Sequence, residues 1–82
     1  MKHTSPAKHK IIIGARVRKA RLAARPAVTQ DDLAGRLANL GVAVDRSAVS
    51  RIESQTRFVM DYEARALARA LRVTVGWLHG EG

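Results

Sequence analysis

Two stretches of the sequence set the architecture of the chain: Thr29-Gln30-Asp31-Asp32-Leu33-Ala34 and, further along, Arg46-Ser47-Ala48-Val49-Ser50-Arg51-Ile52-Glu53. Both stretches have a residue that caps helices well at their start. Thr29 is the first residue of the first stretch, and Asp45 directly precedes the second. Asp32 stands where a capping box has its acid. Apolar residues then recur at helical spacing, so we predict two helices, the first ended by Gly41 and the second running to about Ser54.

Helical patterns continue on both sides of these stretches. The apolar positions upstream are Ile13, Val17, Ala20 and Ala24, before Pro26 ends the segment. The inward positions of the central helices are Leu33, Ala34, Leu37 and Leu40, then Val49 and Ile52. Downstream they are Tyr62, Ala66, Leu67, Ala70 and Leu71, followed by a short segment that Thr74 caps, with Val75, Trp77 and Leu78, closed by Gly80 and Gly82.

These patterns predict an all-α domain of five helices without strands. We expect it to occupy residues 9–82. Residues 1–8 are polar and basic, and Pro6 disfavours an early helix start, so we expect a flexible basic arm there. Lysines of this arm could touch phosphates or serve only as a solubility tail, and the sequence leaves both open.

The composition of the chain limits the classes of function that it could have. The 82 residues carry a formal net charge of +8 and contain no cysteine, and the three histidines (His3, His9, His79) are scattered. Such a charge favours a polyanionic partner. No apolar run is long enough to span a bilayer, no secretory signal opens the chain, and no catalytic constellation is visible. We therefore expect a cytoplasmic protein that is not an enzyme and uses no cofactor, metal or membrane.

The second quoted stretch has one apolar and one polar face. A small residue at Ala34 allows the third helix to approach the second, and Val49 and Ile52 hold the crossing. The first turn of the third helix then projects from the body, and such a helix fits a DNA major groove about 12 Å wide. The side chains that could reach base edges are Arg46, Ser47, Ser50 and Arg51.

The order and spacing of motifs from Ile13 to Leu78 resemble those of the Xre-type helix-turn-helix family, which includes phage repressor and Cro proteins and restriction-modification controller proteins. The elements that match are Ile13-Gly14 with Val17 and Arg21, Thr29-Gln30 with Leu33-Ala34, Val49-Ser50-Arg51-Ile52-Glu53, Arg57, Asp61-Tyr62-Glu63, Leu67-Ala68-Arg69-Ala70-Leu71 and Trp77-Leu78. The resemblance implies a five-helix lambda-repressor-like domain.

The resemblance also implies roles for individual residues. Gln30 would bind a DNA phosphate and fix the docking register. Arg46, Ser47 and Arg51 occupy the base-reading positions, with Ser50 on the same face, and an arginine there would take a guanine edge. Arg57 is the remaining expected DNA contact. Arg21 and Glu53 match a pair that forms a structural ion pair between the first and third helices.

The chain departs from the family pattern at three places. The segment between Ala34 and Val49 is longer than in the commonest pattern, so we expect a longer second helix and an enlarged turn. Gln55 stands where the family has a glycine, which predicts a different or mildly strained loop. Met60 replaces the usual hydroxyl cap and weakens one capping box.

Several functions remain compatible with these residues. The first is a sequence-specific transcriptional regulator, a repressor that binds a palindromic operator in double-stranded DNA as a homodimer. The second is a protein-interaction module, such as an antitoxin that holds a partner protein and binds DNA secondarily. The third is nonspecific packaging of nucleic acid. The fourth is that residues 8–25, which are rich in arginine, form a helix on a membrane surface or an organelle transit segment. The polar face of the third helix could also be no more than solvated surface.

Overall fold

A computed structural model describes residues 6–81 of the chain, with side chains from Ile13 onward. The described residues form helices and loops without a strand, which confirms the all-α prediction. The helices are α1 (Pro6–Ala23), α2 (Gln30–Asn39), α3 (Arg46–Glu53), α4 (Asp61–Leu71) and α5 (Val75–Leu78).

The first helix begins earlier than the sequence suggested. Residues 1–5 of the predicted basic arm, like Gly82, lie outside the described residues, but residues 6–8 already belong to α1. The expectation that Pro6 would delay the helix was wrong. Proline is well accepted at the first helical position, because an N–H there has no intrahelical partner and the fixed φ already suits a helix.

The capping residues act as the sequence predicts. Thr29 Oγ1 accepts a hydrogen bond from the Asp32 amide at 2.9 Å, and Asp32 Oδ2 accepts one from the Thr29 amide at 3.1 Å, which completes a capping box. These bonds hold the pKa of the Asp32 carboxyl below its ordinary value. Asp45 caps α3 through the Ala48 amide at 2.8 Å. Gly41 ends α2 with a φ of +79°, a conformation that glycine adopts without a steric penalty.

Side chains from all five helices fill the core. Those buried most completely are Val17, Leu33, Leu37, Val44, Val49, Ile52, Leu67 and Leu78. Each such side chain contributes about 1.5–3 kcal/mol relative to its exposed state, so the small core depends on every one of them. Val44 anchors the connection between α2 and α3 to this core.

Two residues expected to face inward do not. Leu40 is 38% exposed because α2 ends at Asn39 and the chain turns away at the C-cap. Tyr62 is 54% exposed because it lies in the first turn of α4, whose buried residues start at Glu63. A periodic stripe predicts the direction of a side chain but not where along a helix the core ends.

The packing of the helices places α1 and α2 in the middle of the molecule. The helix α3 packs against α1 and α2, whereas α4 packs against α1, α2 and α5. Gly14 brings α1 and α3 close together, because a Cβ atom at this position would overlap the carbonyl oxygen of Ile52. The two central helices therefore separate the outer surface of α3 from that of α4.

Trp77, expected in the core or at a dimer interface, is half-buried. Its ring lies 4.6 Å from the guanidinium carbon of Arg16, and Arg16 Nη1 donates a hydrogen bond to the Trp77 carbonyl oxygen at 3.1 Å. This cation–π contact fastens α5 to α1. Within residues 6–81, no helix has the length and apolar character needed to cross a membrane.

Candidate nucleic-acid interface

The helix α3 divides sharply into a buried and an exposed side. Ala48, Val49 and Ile52 are buried against α1 and α2. The exposed residues on the other side are Arg46, Ser47, Ser50 and Arg51, which we call the polar face of α3. The sequence predicted this division correctly.

The side chains of the polar face have no polar partner in the part of the chain whose side chains are described. Within residues 13–81, none of them has a hydrogen-bond or ion-pair partner. Some other arginines are engaged, for example Arg21 with Glu53 and Arg36 with the Ala70 carbonyl oxygen. Two guanidinium groups and two hydroxyls thus remain available on α3, and these groups can donate to phosphates and base edges.

Glu53 fixes the orientation of α3 by a bidentate ion pair with Arg21 of α1. Arg21 Nε lies 2.7 Å from Glu53 Oε2, and Nη2 lies 2.8 Å from Oε1. Arg21 Nη1 also donates to the Val28 carbonyl oxygen at 3.0 Å. The hydrogen bonds to Glu53 raise the pKa of Arg21, despite the opposing effect of burial. The expected structural pair is confirmed.

Gln30 joins the same network from the start of α2. Its Nε2 donates to Glu53 Oε1 at 3.2 Å, so one carboxylate connects α1, α2 and α3. Gln30 and Arg46 line one open depression together with Arg21, Thr29 and Asp31. The first turns of α2 and α3 thus meet at one surface, where two elements can touch neighbouring parts of a ligand.

Arg57 is tied to the protein, unlike the other expected contacts. Its Nη1 and Nη2 lie 2.9 and 2.8 Å from the two carboxylate oxygens of Glu63. Hydrogen bonding to Arg57 lowers the pKa of Glu63, an effect that outweighs the opposing effect of burial. Arg57 therefore fastens the loop between α3 and α4 to the start of α4, and a DNA contact by its remaining donors stays a prediction.

Gln55 and Met60, two of the three places where a departure from the family pattern was expected, lie in the loop after α3. Gln55 has a φ of +68°, the left-handed conformation that favours glycine, so the loop stores a small strain. At Met60 only half of a capping box forms, because its amide donates to Glu63 Oε1 at 3.0 Å while its side chain has no oxygen to accept in return.

This surface also holds an acid for which the sequence predicted no role. Asp31 is exposed and lines the depression shared by Gln30 and Arg46. A carboxylate there weakens the attraction of a polyanion to this part of the surface. Placing Asp31 beside Arg46 requires the packing of α2 on α3, which no local pattern contains.

The described residues hold no group of three or more side chains suited to binding a metal ion. The exposed and unpaired polar face of α3, beside the first turn of α2, is the feature that a function has to explain. Comparison of the chain with models of protein families, with curated proteins and with solved structures found no match.

Proposed function

We propose that this protein is a sequence-specific regulator of transcription that binds double-stranded DNA through the polar face of α3. It acts as a repressor, as a homodimer on a palindromic operator. The observation that carries the proposal is the division of α3 into a buried side and an exposed side with two arginines and two serines that have no partner. In this proposal the five helices form a domain of the Xre type, and α2 and α3 form its helix-turn-helix motif.

Three properties of the site support this role. The polar face lies on a helix of eight residues, a rigid element that places side chains more reproducibly than a loop does. The Glu53 network fixes that helix and the side chain of Gln30 against α1 and α2. The net charge of +8 attracts the phosphate backbone before any base is read.

Dimer formation follows from the size of the domain. A module of this kind covers only about 600–1,000 Å² of surface on DNA, which is small for tight specific binding. Two copies related by a two-fold axis would read two half-sites about one helical turn apart. Light scattering on the purified chain, with and without its DNA site, tests this step, and a monomer under both conditions contradicts it.

Selection of bound duplexes from a random pool tests sequence recognition. We expect a two-fold symmetric site, and we expect Arg46→Ala and Arg51→Ala to relax the preference at particular base pairs, each contact being worth about 1–3 kcal/mol of discrimination. Arg65→Ala is the matched control, because Arg65 is also exposed but lies on α4. Sequence-blind binding that falls equally for every duplex would overturn the proposal.

A specific observation favours the second candidate, a protein-interaction module of the antitoxin type. Three large apolar side chains are more than half exposed close together in the chain, Phe58, Met60 and Tyr62. Exposed apolar groups of this kind mark partner surfaces when they form a patch. If substitution of Met60 and Tyr62 by serine abolishes repression in cells while the purified variant still selects the same DNA site, a protein partner is part of the function.

A further inference from the structure

A second group of arginines lies outside the polar face of α3. Arg25, Arg36, Arg69 and Arg72, all exposed, line two adjoining open depressions that share Arg36 and Arg72. Their volumes are about 400 and 470 Å³. We call these four residues the arginine cluster. No acidic side chain among the described residues lines either depression.

The arginine cluster carries more positive charge than the nearby helix ends can neutralise. The helices α1, α2 and α4 end nearby, and Arg25 Nη1 donates to the carbonyl oxygens of Leu22, Ala23 and Ala24 at 3.1–3.4 Å. Each helix end carries about half a negative charge, so three ends offset about one and a half of the four positive charges. Asp32, on the same helix as Arg36, interacts with that arginine and offsets part of its charge, so a positive surplus remains.

Arg72 shows that the cluster has a cost. It caps α4 with a φ of 60°, in the left-handed region where glycine is the usual residue. An arginine is less favourable there than a glycine, because its Cβ atom crowds the neighbouring backbone in this conformation. An unfavourable backbone conformation at an exposed position points to a role for the side chain itself.

The cluster and the polar face of α3 lie on different sides of α2. Gln30 reaches from α2 toward α3 through Glu53, whereas Arg36 reaches from the same helix toward α4, where its Nη1 donates to the Ala70 carbonyl oxygen at 2.9 Å. Because the two surfaces lie on different sides of α2, two anions can occupy them without contacting each other.

We propose that the arginine cluster binds the phosphate backbone of a second DNA segment, so that one protein can bridge two duplexes. This role goes beyond the proposed reading of bases by α3 and needs no base contact. Guanidinium groups match phosphate oxygens in bidentate geometry. The two depressions adjoin and open to the solvent, so an extended phosphate backbone can lie across both.

A bridging assay with the full chain tests this proposal. One duplex is fixed to beads, the protein is bound to it, and capture of a second, fluorescently labelled duplex of unrelated sequence is measured. Arg69→Gln with Arg72→Gln removes two charges of the cluster, and Arg18→Gln with Arg65→Gln removes two exposed charges elsewhere. We expect the cluster variant to stay bound to the first duplex but to capture about tenfold less of the second, while the control variant keeps most of the capture.

Equal capture by the cluster and control variants overturns the proposal, because bridging would then come from general charge or from two α3 faces of a dimer. Displacement of the second duplex by poly-glutamate as readily as by unlabelled DNA also overturns the proposal. The surface would then bind carboxylate groups as well as it binds phosphate groups. A variant with Arg46→Gln and Arg51→Gln separates the two proposals. If this variant binds the first duplex normally, the proposed DNA binding by α3 is wrong. The proposal for the arginine cluster is tested separately, by the capture of the second duplex.

Discussion

Glu53 is the residue on which the geometry of the polar face depends. Its carboxylate accepts hydrogen bonds from Arg21 and Gln30, and so it joins three helices at one point. Arg21 is only 8% exposed, so its charge would be costly without a partner. The orientation of α3 therefore depends on an ion pair behind the surface, whereas the side chains of the polar face of α3 take no part in that network.

We expect Glu53→Gln to lower the free energy of unfolding by about 2–3 kcal/mol, because a buried guanidinium loses its counter-charge. The double variant Arg21→Met with Glu53→Met should lose less than Glu53→Gln, since it leaves no unpaired charge. Urea unfolding of the variants measures both effects. A double variant less stable than the single one would contradict this account of the pair.

At the scale of the helices, the contact between α1 and α3 is set by a missing side chain. We expect Gly14→Ala to destabilise the protein by about 1–3 kcal/mol, because the new methyl group would collide with the Ile52 carbonyl and push α3 outward. The same variant should lose affinity for DNA, since the polar face moves with α3.

Gly35→Ala is the matched control for that substitution. Gly35 lies inside α2, and nothing is within 4 Å of where its Cβ would stand. Alanine favours the helix there, so we expect a gain of about 0.5–1 kcal/mol. Thermal unfolding of the two variants should therefore shift the midpoint in opposite directions, and a loss of stability in both would refute the argument from close approach.

The loop between α3 and α4 makes stability depend on pH. Hydrogen bonding to Arg57 lowers the pKa of Glu63, so this contact stabilises the fold above the pKa of glutamate in the unfolded chain and is lost as the pH falls through the lower folded value. We expect Glu63→Gln to be less stable than the natural chain by about 2 kcal/mol at pH 7. The difference should shrink below about pH 4, and a difference that stays constant down to pH 2 would count against the pair.

At the scale of the whole molecule, the net charge of +8 would attract a polyanion, and an acidic side chain would weaken that attraction near itself. We expect Asp31→Asn to strengthen DNA binding about two- to threefold at low salt, because it removes a carboxylate beside Arg46. The gain should fade as salt is raised. Asp61→Asn is the control, since Asp61 is exposed at the start of α4 and outside that depression. An equal gain in both variants would mean that only net charge matters.

The features that the sequence predicted are those that depend on a few neighbouring residues. The caps at Thr29 and Asp45 and the stop at Gly41 act within one helical turn, and so they could be read directly. The polar face of α3 followed from its helical period.

The remaining features depend on distant contacts. The pairing of Arg57 with Glu63, the bond from Arg36 to the Ala70 carbonyl and the place of Asp31 beside Arg46 arise only when the helices pack. The exposure of Leu40 and Tyr62 likewise depends on where the core ends.

The contact between Arg16 and Trp77 supplies a built-in optical reporter. The chain has a single tryptophan, and its ring is stacked on a guanidinium group and lines a groove with Ala20, Ala23 and Leu71. Fluorescence emission from that ring therefore follows the attachment of α5 to α1 without any added label. A spectrum that changes with protein concentration would reveal a second copy covering the groove, whereas one that changes only with denaturant would report the unfolding of a single chain.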